Sequence, residues 1–231
     1  MKGILFKPWK IKAIAEDDRE WQTRRLGGLK EFNQEPAAWC LFRDSYTKKL
    51  FLASDKYTRD IFIKSRYQVG EVVYVKEAVQ LCKNRDGSWD KETTPIYKLE
   101  ISPTDLVSTA CDWDWLSPLF MPEWAARYFE KITDIRAERL QEISARDCEA
   151  EGIDGRGMLD AYIKNDYRIL WNSINAKWKR VWNKRLKIYE FWQFPWCEAD
   201  AVPIPKTTQH PERYHSIPNP WVWVYQFKTK P

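Results

Sequence analysis

Two histidines in 231 residues, His210 and His215, leave little material for a metal site. The five cysteines (Cys40, Cys82, Cys111, Cys148 and Cys197) are scattered without a C-x-x-C pair, and their odd number argues against a disulfide framework. Reduced thiols without a structural zinc are expected, and no cofactor is implied. Long apolar runs are also missing. Nothing approaches the roughly 18 residues of a spanning helix, and Met1–Lys10 has no apolar run of signal-peptide length. No membrane partner is expected, and the chain is expected to stay in the cytoplasm. There is no internal repeat and no low-complexity tail.

What is present is the balance of a globular protein, 44% hydrophobic and 31% charged residues, in a chain long enough to bury a sizeable core. Fourteen Trp and eleven Tyr are unusually many. Most should fill a core of strands and short helices, which leaves only some as ligand platforms. The net charge of +5 is modest for a duplex-DNA binder and compatible with a nucleic-acid ligand.

Along the chain, Ile4–Phe6 reads as an opening strand and residues 8–18 as a helix. If Trp21–Leu26 is extended, Trp21, Thr23 and Arg25 share a face. Residues 38–44 and 49–54 form a hairpin pattern, and Val72–Val79 reads as a strand after the Val69-Gly70-Glu71 turn. Asp86-Gly87 marks a second turn before Ile96–Ile101, and residues 102–120 are irregular. Pro122 opens a short helix over Glu123–Arg127, and Phe129–Leu140 is a long strand. Ser144 and Asp147 resemble a capping box for a helix that Gly152 ends. From Leu159 the residues Tyr162, Ile163, Tyr167, Leu170, Trp171 and Ile174 keep helical spacing, and Trp178, Val181, Trp182 and Leu186 can continue it. Residues 195–220 read as a long ordered loop, and Trp221–Phe227, apolar on both faces, as a buried strand. The mixture has no strict βαβ rhythm, so the fold class is α+β.

Three ordered blocks carry a resemblance. They are Gln22-Thr23-Arg24-Arg25, Met121–Ile153, and Leu170–Asn175 together with Asn219–Val224. Val69-Gly70-Glu71 and Val75-Lys76-Glu77 lie between them. Together they resemble the ASCH-domain proteins of the PUA-like superfamily, of the phage and prophage type. The resemblance covers about two-thirds of the chain and implies a single ASCH-like domain over 1–231. Residues 83–118 and 176–218 fall outside it as insertions. It implies a mostly antiparallel β-barrel with flanking helices and a cleft, in the cytoplasm of a bacterial host cell. The implied partners are nucleic acid, RNA in preference, or a modified nucleoside.

Small ASCH proteins include amidohydrolases that act on N4-acetylcytidine with a Lys, a Thr and a Glu, and others are described as ribonucleases. The resemblance places that Thr on Thr23 and that Glu on Glu151, as catalytic candidates expected to converge on one pocket. A hydroxyl needs a nearby base to act as nucleophile, and a carboxylate can supply it or activate a water. The Lys falls on Glu20, which reverses the charge, and Arg25 is a substitute from the same face as Thr23. Glu20, Gln22, Arg24, Arg25, Glu77, Trp124 and Arg127 are the ligand-binding candidates. Trp124 and Arg127, one turn apart if helical, could stack on a base and pair with a phosphate.

Outside the resemblance, Lys177–Lys187 interleaves Trp178 and Trp182 with cations. Lys177, Lys179, Arg180 and Lys184 are candidates for the nucleic-acid backbone, against the plain reading of a solvated helix face. Three functions follow. One is nucleic-acid or nucleoside binding through the cleft, and a second is hydrolysis with Thr23 and Glu151. The third is a phage protein that binds a host protein through the insertions.

Overall fold

The computed structural model describes residues 1–16, 21–46, 50–54, 61–99 and 115–229. The chain is a strand-rich α+β protein with few helices. In order it forms β1 (Lys2–Leu5), α1 (Pro8–Glu16), β2 (Trp21–Arg25), β3 (Cys40–Arg43), β4 (Leu50–Ala53), β5 (Ile61–Phe62), β6 (Val72–Lys76), β7 (Val79–Gln80), β8 (Ile96–Tyr97) and β9 (Trp115–Leu116). The second half holds β10 (Phe129–Arg139), α2 (Ala145–Ala150), α3 (Asp160–Asn175), β11 (Lys179–Asn183), β12 (Ile188–Gln193), β13 (Tyr214–Ser216) and β14 (Trp221–Thr229).

The described strands make four sheets, none closed on itself. The largest has the order β1-β6-β10-β14-β2, so the segments expected around Ile4, Val72, Phe129 and Trp221 share one sheet. The other three are β3-β4-β5, β8-β7-β9 and β11-β12-β13. The chain forms two compact units, one of Met1–Trp21, Gln68–Thr133 and Gln226–Pro231, the other of Gln22–Tyr67 and Asp134–Tyr225.

In the first unit β1 runs parallel to β6, and β10 antiparallel to it. Its small apolar cluster joins Val79, Leu81, Met121 and Ala125. The expected helix over Glu123–Arg127 is a single 3-10 turn, Glu123–Ala125. Residues 102–114 and 100–101 of the expected irregular and strand segments lie outside the described residues.

In the second unit the core forms where α3 meets β14. Ile163, Tyr167 and Trp171, four residues apart, bring one stripe of α3 onto Val222 and Val224, with Leu140, Ile143 and Cys148. Ser144 caps α2, its hydroxyl accepting from the Asp147 backbone N–H at 3.0 Å. Burial pushes the Cys148 thiol up to about 12, so it behaves as packing and not as a nucleophile.

The structure corrects the expected continuation of α3. The helix stops at Asn175, and residues 179–193 are a β-hairpin in five-residue register from Lys179↔Trp192 to Asn183↔Ile188. Asn183 explains the reversal, because its Oδ1 accepts from the Arg185 and Leu186 backbone N–H groups at 3.0 and 3.1 Å. Part of the expected 195–220 loop also pairs, as β13 runs parallel to β12.

Candidate functional site

On β2 the side chains of Gln22 and Arg24 share a face by strand alternation, and Thr23 takes the other. Arg24 is buried among acids. Its Nη1 donates to Glu151 Oε1 at 3.2 Å, and its Nε and Nη2 donate to Glu138 Oε1 at 2.9 and 2.6 Å. Asp147 Oδ2 lies 3.5 Å from Nη2. Gln22 donates to Asp147 Oδ1 at 2.7 Å, and Arg136 links Asp147 at 3.1 Å to Glu138 at 3.0 Å. Burial works against the charge of Arg24, but Glu151 and Glu138 overcome it and raise the guanidinium above its ordinary value. Burial also opposes the charge of Asp147, yet the bonds from Gln22, Arg24 and Arg136 hold its carboxyl below the usual range.

This network brings Glu151 to Arg24, the neighbour of Thr23. Burial lowers the Arg25 guanidinium, while the field of Glu151 opposes that shift. Glu20 lies outside the described residues. Asp147 was read from sequence only as part of the helix cap, and Arg136 and Glu138 were not singled out there. Their signal was the alternation of Asp134, Arg136 and Glu138 between buried Ile135 and Ala137.

In the first unit Glu77, fully buried, receives a two-pronged bond from Arg127, Nε at 2.9 and Nη2 at 2.7 Å. The guanidinium also lies over Tyr97 at 4.1 Å and Tyr128 at 4.9 Å. Burial disfavours its charge, but Glu77 holds the Arg127 guanidinium above its ordinary value. Trp124 packs on the Val79–Met121 cluster. The 3-10 turn ends before Arg127, so Trp124 and Arg127 are not successive residues of one helical face.

The β11-β12-β13 sheet is built differently. Its register puts Arg180, Trp182, Tyr189, Phe191 and Tyr214 on one face. Trp182 meets Tyr189 edge-on at 4.9 Å, Phe191 stacks on Tyr214 at 4.6 Å, and Trp178 meets Tyr214 at 5.0 Å. Arg180 lies 4.3 Å over Tyr189. Trp182 and Tyr189 remain 46% and 45% exposed, whereas the reverse face buries Trp192 and Glu190. Burial opposes the charge of Glu190, but bonds from Asn183 and Trp192, with Lys30, hold its carboxyl below the usual range.

Lys177, Lys184, Arg185 and Lys187 are exposed beside the rings, the last three in the hairpin turn. Among the described residues no carboxylate pairs with these four or with Arg180. Glu190, the nearest acid in sequence, lies on the reverse face and is bonded by Asn183 at 2.7 Å and Trp192 at 3.2 Å, and Asp200 is engaged by Arg168 at 2.7 Å. Lys179 points to the reverse side and bonds Asn175 Oδ1 at 3.0 Å. Tyr189, Phe191 and Tyr214 were not singled out from sequence, although Tyr189 and Phe191 alternate as a strand requires.

Among the described residues no group of His, Cys, Asp and Glu is arranged to hold a metal, and no helix is long and apolar enough to cross a membrane. Compared with family models, curated proteins and solved structures, the chain matches none.

Proposed function

We propose that this chain binds single-stranded nucleic acid, RNA in preference, on the outward face of the β11-β12-β13 sheet. The observation that carries the reading is a face of mutually packed rings, with Trp182 and Tyr189 exposed and Phe191 stacked on Tyr214, flanked by cations that no carboxylate pairs among the described residues. Bases of any identity can lie on such rings, and Lys and Arg draw the phosphates. A flat sheet suits splayed single strands, whose unstacked bases are accessible, better than a duplex. On this reading the ASCH resemblance supplies the fold family and the preference for RNA. The five-stranded sheet is then one wall of a PUA-like barrel, and the hairpin is an addition that carries the ligand surface. The Gln22–Arg24–Glu151 network holds that scaffold together.

The test is fluorescence anisotropy with short oligouridine, oligodeoxythymidine and a duplex, at several salt concentrations. Salt-sensitive binding of single strands, weakened by Trp182→Ala and Tyr189→Ala, is the expected result. Binding that is absent, or indifferent to both substitutions, overturns the reading. Turnover of N4-acetylcytidine abolished by Glu151→Gln would favour the hydrolase instead, and capture of a host protein without nucleic-acid binding the third function.

A further inference from the structure

We infer that Arg139 anchors a phosphate-binding subsite at the end of β13, in a shallow pocket of about 570 Å³. The inference deepens the nucleic-acid reading, on which it rests for the source of the phosphate.

The pocket has apolar walls of Pro36, Ala37, Ala38 and Ile217, and Arg139 is the cation among its lining residues. Arg139 is fixed before any ligand arrives. Its Nε donates to the Asn219 carbonyl at 2.8 Å and its Nη1 to the Pro36 carbonyl at 3.0 Å. Its guanidinium lies 5.7 Å over the Trp221 ring. The two carbonyls are themselves held. Trp221 Nε1 also donates to Pro36, and Asn33 brackets the Trp221 backbone at 2.6 and 2.9 Å. Asn219 sits in a left-handed turn, φ 45°, where its Oδ1 accepts from the Gln141 backbone N–H.

A guanidinium has five N–H donors, and these two bonds use two. Both donors of Nη2 and one of Nη1 remain, a fork that fits two oxygens of an oxyanion. Among the described residues no carboxylate bonds the guanidinium. Arg24, Arg136 and Arg168 in the same unit each bond a carboxylate, whereas the acceptors of Arg139 are neutral carbonyls. Burial pushes the Arg139 guanidinium down, with Glu142 opposing, and an anion would relieve that burial. Glu142 accepts from the Arg139 backbone N–H at 2.9 Å. Glu35 is the acid among the lining residues, and it is exposed, where water and salt screen it.

The pocket continues the aromatic face. Ser216, which lines it, is two residues after Tyr214 on β13, about 7 Å along the same strand. A base stacked on Phe191 and Tyr214 would have a neighbouring phosphate within reach of the pocket.

The test compares uridine, uridine 5′-monophosphate, inorganic phosphate and short oligouridine by titration calorimetry, on the full chain and on Ala37→Glu. That substitution adds a negative charge to the wall and leaves the bonds of Arg139 untouched, whereas Arg139→Gln alone could simply unfold. The monophosphate should bind roughly tenfold more tightly than the nucleoside, the effect of one charge-assisted bond, and Ala37→Glu should erase that preference. No preference, or one that survives Ala37→Glu, overturns the subsite, even if oligouridine binds and the nucleic-acid reading stands. If oligouridine fails to bind while the preference holds and is erased by Ala37→Glu, the subsite stands. Its source is then a mononucleotide or, if inorganic phosphate binds alike, free phosphate.

Discussion

Two arginine-rich regions of the second unit use their charges in opposite ways. At β2, β10 and α2, Arg24 and Arg136 are surrounded by Glu138, Asp147 and Glu151, and every one of these groups is bonded to another. On the β11-β12-β13 face, Arg180 rests on a tyrosine ring, and the neighbouring cations face solvent with no acid partner among the described residues. A charge whose partners are already inside the protein stabilises the fold and has little left for a ligand. A charge left unpaired beside stacked rings is available to bind. The contrast separates the residues that hold the molecule from those we propose to be its function.

The largest effect should come from breaking the first region. Arg24→Met leaves Glu138 and Glu151 without their buried cation, and should cost about 3–5 kcal/mol of stability in urea unfolding. A loss below about 1 kcal/mol would mean that the network is as dispensable as a surface ion pair.

Breaking the second region should spare the fold. Trp182→Ala, at an exposed position, should weaken single-strand binding by about 1–3 kcal/mol, the worth of one base stack. Its unfolding midpoint should hardly move. A large loss of stability with unchanged affinity would assign this face to packing.

Next in size is a cap. Ser144→Ala removes the acceptor for the Asp147 N–H and should cost about 1 kcal/mol, again without touching binding.

Acid should sharpen the contrast further. Asp147 has a folded value depressed below its ordinary 3.8, so its contribution is present above that value. That contribution is lost as the pH falls through the depressed value. Stability should therefore decline below about pH 4, and Asp147→Asn should flatten that decline. The smallest effect belongs to single cations of the hairpin turn. Lys184→Ala should lower affinity modestly and reduce the slope of log affinity against log salt by about 1. An unchanged slope would leave Lys184 as a solvated charge.

Much of the scaffold was legible in the sequence because local signals and burial agree there. The β-branched and aromatic run at Trp221–Val224, the long pattern from Phe129, and the Ser144 cap each became the expected element. The hairpin at 179–193 was not legible. Trp178, Val181 and Trp182 satisfy helical spacing as well as strand spacing, and local propensity cannot arbitrate between them. Asn183 and the facing strand Ile188–Gln193 decide it, through turn bonds and cross-strand pairing. The candidate site was legible in residue types and not in partners. The acids and arginines were visible around β2, but Thr23 and Arg24 differ by one position, and one position on a strand is a change of face.

The sequence by itself determined the composition of the core, most strands, the cap of α2 and the reservoir of cations around Lys177–Lys187. These depend on periodicity and on residue chemistry within a few positions. Only the tertiary structure decided which charges are spent. Arg24 finds Glu138 and Glu151 more than a hundred residues downstream, while Arg139 finds the neutral carbonyls of Pro36 and Asn219. The physical reason is that an ion pair acts over a few ångströms of space and is indifferent to separation along the chain.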